Sequence, residues 1–138
     1  MSYGLEVAMI GLAHQKGLLT TPYVFNATEA AAMAQAGADI IVCHFGLTTG
    51  GAIGADTAIK LEECPRLLDD WAAAALAINP EVIILSHGGP VAEPGDAEYV
   101  LRHARHCHGF YGASSIERLP TERALTEQTR RFKAVTFG

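Results

Sequence analysis

The sequence predicts an α/β domain with a parallel sheet, in the order α-βα-βα-βα-βα. Three observations support this prediction. Short apolar runs alternate with segments whose apolar residues have helical spacing. Two of the runs, at 39–43 and 82–85, are almost entirely apolar, which is typical of parallel strands that are buried on both faces. Polar or glycine-rich turns follow the runs, where each strand would lead into its helix.

The N-terminal part predicts a helix over 5–15, a strand over 20–25 and a second helix. Pro22 marks the start of the strand, since proline is excluded from central strand positions. Asn26 is the expected N-cap of the second helix, with Glu29 as its capping-box partner. The expected buried faces of the two helices comprise Leu5, Ala8, Met9 and Leu12 in the first and Ala30, Met33 and Ala34 in the second.

The middle of the chain predicts a strand over 39–43, a long glycine-rich loop over 46–58, a helix over 62–78 and a strand over 82–85. Pro65 fits the first turn of that helix. A loop of this length in a compact domain is usually functional or mobile. The expected core-facing side chains of the helix are Leu68, Trp71, Ala72, Ala75 and Leu76.

The C-terminal part predicts a helix over 94–104, a strand over 109–111, a short helical turn over 115–119 and a last helix over 120–135. The four βα units equal half of an eight-stranded barrel, which leaves two open sheet edges. Three arrangements remain open at this point. Two copies close a barrel, the sheet stays open in the flavodoxin style, or the chain is part of a longer protein.

Composition limits the class of protein. The 138 residues are 49% hydrophobic and 18% charged, which suits one domain over 1–138 with a buried core. The net charge of -5 argues against a nucleic-acid partner. No apolar run is long enough for a membrane span, and no signal peptide is recognised at the N-terminus. The three cysteines, at unpatterned spacing, favour reduced thiols in a cytoplasmic protein.

Two glycine turns predict an anion site. His87-Gly88-Gly89-Pro90 and Gly112-Ala113-Ser114-Ser115 each follow an apolar run. Backbone N–H groups of glycine turns approach anions closely, and a following helix N-terminus adds a positive dipole. The alternative is that the glycines only form tight βα turns. The expected phosphate or carboxylate donors are Gly88, Gly89, Gly112, Ser114 and Ser115.

His44 and His87 end two of the predicted strands at the edge where parallel α/β folds bind ligands. Histidine titrates near neutral pH, so both are candidate general acid–base residues. They are also candidate ligands of a metal that needs a third ligand. The alternative is that both rings form hydrogen bonds with loop backbone. His44 and His87 belong to no HxH or HExxH spacing, so no metal site is predicted from them.

Further polar residues follow the strands. Thr48 and Thr49 are candidates for a lid that excludes water, or belong to a solvated loop. Arg118 is a candidate anion clamp, with an external ion pair as the alternative. Glu93 and Glu117 are candidate bases, but fit helix-start carboxylates better. We expect a structural role for the group at the opposite end of the strands, His103, His106, Cys107 and His108.

Four blocks of the sequence resemble the phosphoenolpyruvate hydrolase-like family, also described as a TIM-barrel signal-transduction family. They lie at 20–26, 36–51, 85–90 and 109–122, in that order along nearly the whole chain. The resemblance implies a (β/α)₈ barrel related to phosphoenolpyruvate mutase and isocitrate lyase, of which this chain matches the C-terminal half, strands five to eight. It also implies that a set of positions faces the ligand, namely His44, Thr48, Thr49, His87, Gly88, Gly89, Ser114 and Ser115.

Two classes of function follow. The first is an enzyme, or half of one, that acts as a hydrolase or lyase on a small phosphorylated or phosphono-carboxylic acid, with Mg²⁺ held mostly by the ligand. The second is a non-catalytic module that senses an anion or directs assembly. An incomplete fragment of the full barrel is the third possibility. The expected partners are a small phosphorylated or carboxylate ligand and either a second copy or a missing N-terminal half-barrel.

Overall fold

The computed structural model describes residues 2–56 and 59–136 and has the predicted alternation of helices and strands. Its elements in chain order are α1 Tyr3–Gln15, β1 Tyr23–Val24, α2 Ala27–Gln35, β2 Ile40–His44, a 3₁₀ turn Leu61–Glu63, α3 Cys64–Leu76, β3 Ile83–His87, α4 Pro94–His103, β4 Gly109–Phe110 and α5 Arg118–Lys133. None of the helices in the described ranges is long and apolar enough to cross a membrane.

The four strands form one parallel sheet in the order β1-β2-β3-β4. Each new strand is therefore added beside the preceding one, with a helix in between. A flavodoxin-style sheet reverses its strand order at one point. That alternative is wrong for the described residues, and the arrangement is that of half a (β/α)₈ barrel.

Local sequence signals explain the start and end of α2. The Asn26 side chain accepts a hydrogen bond from the Glu29 N–H at 2.9 Å, as an N-cap residue does. The Glu29 carboxylate in turn accepts from the Phe25 N–H at 2.8 Å. Gly37, with φ +91°, follows the last turn in the left-handed conformation. The predicted N-cap and stop of this helix are confirmed, whereas Glu29 accepts from the Phe25 amide and not from the Asn26 amide that a capping box uses.

The main core lies between the sheet and the helices. Alternate strand residues face this layer, as the two-residue period of a strand requires. The core comprises chiefly Val24, Ile41, Cys43 and Ile84 from the strands, Ala30, Met33 and Ala34 from α2, Leu68, Trp71, Ala72 and Ala75 from α3, and Ala97 and Val100 from α4. The opposite face of the sheet, which lines the interior in a closed barrel, carries the residues between them in each strand.

The predicted buried face of α1 is wrong. Leu5, Ala8, Met9 and Leu12 are all exposed, and the partly buried face carries Tyr3, Val7 and Ile10 instead. The hydroxyl of Tyr3 also donates to the Tyr23 carbonyl oxygen at 2.9 Å. Apolar residues occur on both sides of this helix. Periodicity could therefore not decide which side faces the sheet.

The strand ends differ slightly from the predictions. β2 and β3 extend to His44 and His87, so both histidines are strand residues. β1 is shorter than predicted, although the Pro22 carbonyl oxygen still accepts from the Val42 N–H at 3.0 Å. The last helix begins at Arg118, two residues before Pro120, and Leu119 is its buried side chain.

Candidate functional site

The two histidines predicted to share a site are neighbours. His44 and His87 are paired in register at the carboxyl ends of β2 and β3. Their ring centroids lie 4.8 Å apart, with the ring planes at 70°. Parallel strands in adjacent register place equivalent residues side by side on the same face. The sequence prediction that both lie at one edge is therefore matched by the geometry.

Three aromatic residues that the sequence analysis did not single out surround the histidines. The Tyr23 ring stacks on His87 at 4.9 Å with 9° between the planes, and its edge contact with His44 is 4.8 Å. The ring centroids of Phe25 and His44 lie 5.0 Å apart, and those of Tyr111 and His87 lie 6.0 Å apart. We call these five residues, Tyr23, Phe25, His44, His87 and Tyr111, the rim cluster. The signal that could have revealed it is the two-residue period of the predicted strand over 20–25, which places Tyr23 and Phe25 on the same face.

The hydrogen bond of His87 determines its tautomer. Its Nδ1 lies 2.5 Å from the backbone carbonyl oxygen of Tyr111. A carbonyl oxygen only accepts, so Nδ1 carries the hydrogen and donates it. In the neutral ring, Nε2 is therefore the unprotonated nitrogen. The ring is only 6% exposed, so its orientation is held by packing as well as by this bond.

His44 has the opposite tautomer. Its Nδ1 accepts a hydrogen bond from the Gly46 N–H at 3.0 Å. The neutral ring must then carry its hydrogen on Nε2. Burial, followed by the electrostatic interaction with His87, lowers the pKa of His44 below its ordinary value. His44 is thus a neutral Nε2–H donor at pH 7.

The pair therefore combines a proton acceptor and a proton donor. With both rings neutral, His87 has a bare Nε2 and His44 has Nε2–H, and the two rings are in contact. This is the arrangement that general acid–base chemistry needs. The alternative interpretation of strand-end histidines bonded to loop backbone also describes both rings, because each Nδ1 is held by a backbone group.

Gly88 and Gly89 allow two loops to approach closely. Both have positive φ, +69° and +57°. A Cβ on Gly88 would collide with the Gly46 carbonyl oxygen, and one on Gly89 would lie 2.5 Å from the Phe45 carbonyl oxygen. The Gly89 N–H donates to the Gly46 carbonyl at 2.6 Å. That amide is engaged within the protein, so an anion could reach it only by displacing this bond.

The second glycine turn has a different environment. The Ala113 and Ser114 carbonyls accept bonds from 116–119, which leads the chain directly into α5. A side chain at Gly112 would collide with Ile116. Ser115 lines a groove of about 570 Å³ together with residues of α4. The structure thus places Ser115 in that groove with α4, whereas the two histidines lie together in the rim cluster.

Arg118 fastens the long loop after β2. Its guanidinium pairs with the Glu122 carboxylate at 3.0 Å and donates to the Gly50 carbonyl at 3.2 Å and to that of Thr48 at 3.5 Å. The other Glu122 oxygen accepts from the Ala52 N–H at 2.8 Å. This amide and Arg118 hold the pKa of Glu122 below its ordinary value. Arg118 forms the ion pair given as the alternative to an anion clamp.

The same loop is attached to the glycine turn after β3. The Thr49 N–H donates to the Gly89 carbonyl oxygen at 3.0 Å. Thr48 contributes its carbonyl to Arg118 and also accepts from the Ala55 N–H at 3.3 Å. The described part of the predicted loop, 46–56, is therefore attached to the sheet edge. Residues 57 and 58 of the predicted loop lie outside the described residues.

The remaining candidates have structural contacts. Glu93 forms an ion pair with Arg123, and Glu117 accepts from the Arg118 N–H at 2.7 Å at the start of α5. His108 Nδ1 accepts from the Ile84 N–H at 2.9 Å. His103 bonds to the Tyr99 carbonyl at 2.8 Å. Across 2–56 and 59–136, no group of three or more His, Cys, Asp or Glu is placed to hold a metal.

The chain is similar to one described protein family and to several known proteins. A family model described as phosphoenolpyruvate hydrolase-like matches residues 1–135. Two tomato (Solanum lycopersicum) proteins are similar over 137 residues: the ToMV susceptible protein tm-1(GCR26) at 56% identity and the ToMV resistance protein Tm-1(GCR237) at 55%. A proposed transcriptional regulatory protein of Sinorhizobium fredii (strain NBRC 101917 / NGR234), y4pA, is 29% identical over 135 residues.

These relatives are much longer than this chain. Each match covers at least 98% of the chain but only 18% of the tomato proteins and 22% of the bacterial protein. The chain thus spans about a fifth of the length of the curated relatives it matches. Their descriptions concern whole proteins, whereas the match concerns a single (βα)₄ unit.

Proposed function

The chain belongs to the phosphoenolpyruvate hydrolase-like family, and on that premise we propose that its rim cluster is an acid–base site for a small phosphorylated or phosphono-carboxylic acid. Phosphoenolpyruvate and phosphonopyruvate are the model substrates of this class. One observation carries the proposal: two adjacent histidines present complementary Nε2 atoms, one bare and one protonated. Family membership supports the choice of substrate class.

In the proposed reaction the two rings move protons in opposite directions. Nε2 of His87 accepts a proton from the attacking water as the water oxygen bonds to phosphorus. The bond that breaks is P–O in phosphoenolpyruvate and P–C in phosphonopyruvate, and its electron pair leaves with the pyruvate enolate. Nε2–H of His44 donates its proton to that enolate oxygen, so phosphate and enolpyruvate are the products. The hydrogen bonds at both Nδ1 atoms hold the rings in the tautomers that this exchange requires.

The acidic end of the substrate needs hydrogen-bond donors. We propose Gly88 N–H, Gly112 N–H and the Ser114 hydroxyl for the phosphate, with Thr48 and Thr49 covering it from the loop. Gly89 N–H and Arg118 support the phosphate site indirectly, because they hold the 46–56 loop in place. Ser115 supports it as part of the turn that positions Ser114. The 46–56 loop would exclude water when the site is filled.

The described residues do not fit a protein-held Mg²⁺. This ion prefers carboxylate and carbonyl oxygens in octahedral geometry, and the rim cluster offers imidazole and phenol groups instead. No step is therefore assigned to a metal of the protein. Assays with and without Mg²⁺ test whether the reaction needs an ion that is bound to the substrate phosphate.

Thermal unfolding and turnover test the proposal together. Phosphoenolpyruvate or phosphonopyruvate at about 100 times its Kd should stabilise the protein by about 2.7 kcal/mol, a clear rise in Tm. His87→Ala should abolish turnover while the fold persists. His103→Ala, a histidine on α4, is the matched control and should retain both properties. Full turnover by the His87→Ala variant would remove the catalytic role.

The second candidate function is an anion-sensing or assembly module without catalysis. The observation that favours it is the attachment of both Nδ1 atoms and the Gly89 amide to loop backbone, which makes the edge a rigid binding surface. The relatives described as resistance or regulatory proteins accord with such a role. Ligand-induced stabilisation with no turnover in any assay would select this function over the first.

A further inference from the structure

We propose that a proton on His44 releases the near end of the 46–56 loop, which makes the start of this loop an acid-sensitive attachment to the sheet. The proposal concerns the loop and the ring that holds it, and it stands whether or not the rim cluster catalyses a reaction. It rests on the tautomer of His44, on the two backbone bonds of Gly46 and on the different chemistry at the far end of the loop.

Gly46 is the residue at which the loop begins, two positions after the last residue of β2. It has φ +120°, and both of its backbone polar groups are engaged. Its N–H donates to Nδ1 of His44 at 3.0 Å, and its carbonyl oxygen accepts from the Gly89 N–H at 2.6 Å. One side chain and one backbone amide therefore hold the start of the loop against the sheet edge.

An added proton on the His44 ring has a single position available. The neutral ring carries its hydrogen on Nε2, so the added proton must bind Nδ1, the atom that accepts from Gly46. Protonated Nδ1 is a donor, and it then directs its hydrogen toward the Gly46 N–H. Two donors cannot form a hydrogen bond with each other. Protonation of His44 and this attachment of the loop therefore exclude each other.

His87 does not have this conflict, although it is the neighbouring ring. Its Nδ1 already donates to the Tyr111 carbonyl oxygen, and an added proton binds Nε2. The bond to Tyr111 is therefore kept in both protonation states. Of the two histidines, His44 is the one in which proton uptake is coupled to the loss of a backbone bond.

The groups around His44 determine what its charged form would meet. The ring centroids of Tyr23 and His87 each lie 4.8 Å from that of His44. Burial, and then Tyr111, raise the pKa of Tyr23, so its phenol stays neutral in acid. Within the described part of the chain, His44 forms no ion pair with a carboxylate. Its own carbonyl oxygen favours the charged ring, but burial and His87 oppose it more strongly, so the pKa lies below about 6.5.

The far end of the loop is held by groups that keep their charge in mild acid. Arg118 donates to the Gly50 carbonyl and pairs with Glu122, whose other oxygen accepts from the Ala52 N–H at 2.8 Å. That amide and Arg118 hold the pKa of Glu122 below its ordinary value, so the carboxylate stays ionised down to about pH 5. Mild acid should thus loosen the loop at Gly46 and leave the Ala52 amide attached.

The test is the protection of single amides against hydrogen exchange, measured by NMR on the isotope-labelled chain between about pH 7.5 and about pH 5. The rates are corrected for the intrinsic pH dependence of exchange. Protection of the Gly46 amide should fall about two- to tenfold, as expected for one hydrogen bond, while that of Ala52 stays constant. The midpoint of this fall should coincide with the titration midpoint of the His44 ring, read from its own resonances.

His44→Asn separates the titration from the hydrogen bond. The asparagine Oδ1 takes the place of Nδ1 as the acceptor and does not titrate, so the Gly46 amide should stay protected at every pH in the range. His103→Asn is the matched control, because the Nδ1 of His103 bonds to the Tyr99 carbonyl oxygen on α4. That variant should keep the pH response of the wild type.

The proposal has clear contrary outcomes, and none of them depends on a substrate or on turnover. Equal losses of protection at Gly46 and Ala52 would mean general destabilisation in acid and would overturn it. A pH response at Gly46 that persists in His44→Asn would assign the trigger to another group. If His44→Asn does not fold, the wild-type chain still decides, since titration of His44 without a change at Gly46 contradicts the coupling.

Discussion

His44 and His87 occupy equivalent register positions, yet their backbone partners give the two neutral rings opposite tautomers. A loop amide faces one Nδ1, and a carbonyl oxygen faces the other. Sequence analysis could place both residues at the strand ends because the apolar runs define those ends. It could not assign the tautomers, which depend on how the chain turns after each strand.

The lowered pKa of His44 predicts a pH-dependent stability. In the unfolded chain the His44 imidazole takes up a proton near pH 6.5, the ordinary histidine value, whereas in the folded chain it does so only at lower pH. Stability should therefore fall as the pH drops below about 6.5. His44→Gln should reduce the difference between the free energies of unfolding measured in urea at pH 7.5 and at pH 5.5. His103→Gln should leave that difference unchanged. Identical pH dependence in wild type and His44→Gln would contradict this assignment.

Gly89 is predicted to be intolerant of any side chain. Its φ is +57°, and an added Cβ would lie 2.5 Å from the Phe45 carbonyl oxygen. Gly89→Ala should cost about 1–3 kcal/mol in urea unfolding, from strain and lost loop packing.

Gly95 in α4 is the matched control for that substitution. A Cβ there meets nothing within 4 Å. Gly95→Ala should be neutral or stabilise the protein by up to about 1 kcal/mol, because alanine favours a helix over glycine. Equal losses for the two variants would show that the approach of the two loops does not constrain Gly89.

At the scale of elements, the contacts of α5 with the 46–56 loop predict that α5 slows the hydrogen exchange of the loop amides. Glu122 accepts from the Ala52 N–H and pairs with Arg118, which in turn holds two loop carbonyls. Glu122→Gln should speed hydrogen exchange across 46–56, several-fold in a mass-spectrometric time course, because the ion pair and the charge-assisted bond to the amide are lost.

Asp70→Asn serves as the matched control for the loop. Asp70 also pairs with an arginine four residues away, Arg66, but that pair is exposed on α3. Exposed pairs of this kind contribute little. Exchange across 46–56 should not change in Asp70→Asn, and unchanged exchange in Glu122→Gln would mean that other contacts hold the loop.

The elements also show where sequence prediction succeeds and where it stops. α2 was predicted with its cap, stop and buried face, since each is encoded by a few neighbouring residues. The order of strands followed from the alternation of apolar runs and helices. The orientation of α1 was not predictable, because both of its sides are apolar and the choice depends on which neighbour is present.

At the scale of the whole molecule, the rim cluster is a product of topology. Tyr23, His87 and Tyr111 come from three separate strand segments, and only the parallel register brings their rings together. The sequence predicted the edge of the sheet where they meet, but not the contacts. The curvature and closure of a sheet depend on all strands at once, so local patterns left closure open.

The packing of Trp71 against Phe45 gives the molecule an internal optical reporter. Trp71 is the single tryptophan, and its ring lies 5.6 Å from Phe45, the residue that directly follows His44. The Phe45 N–H also donates a hydrogen bond to the His87 carbonyl oxygen at 3.0 Å, which links Phe45 to the end of β3. Events at the histidines are therefore coupled to the environment of one indole. Its fluorescence can follow ligand titrations on the unlabelled protein.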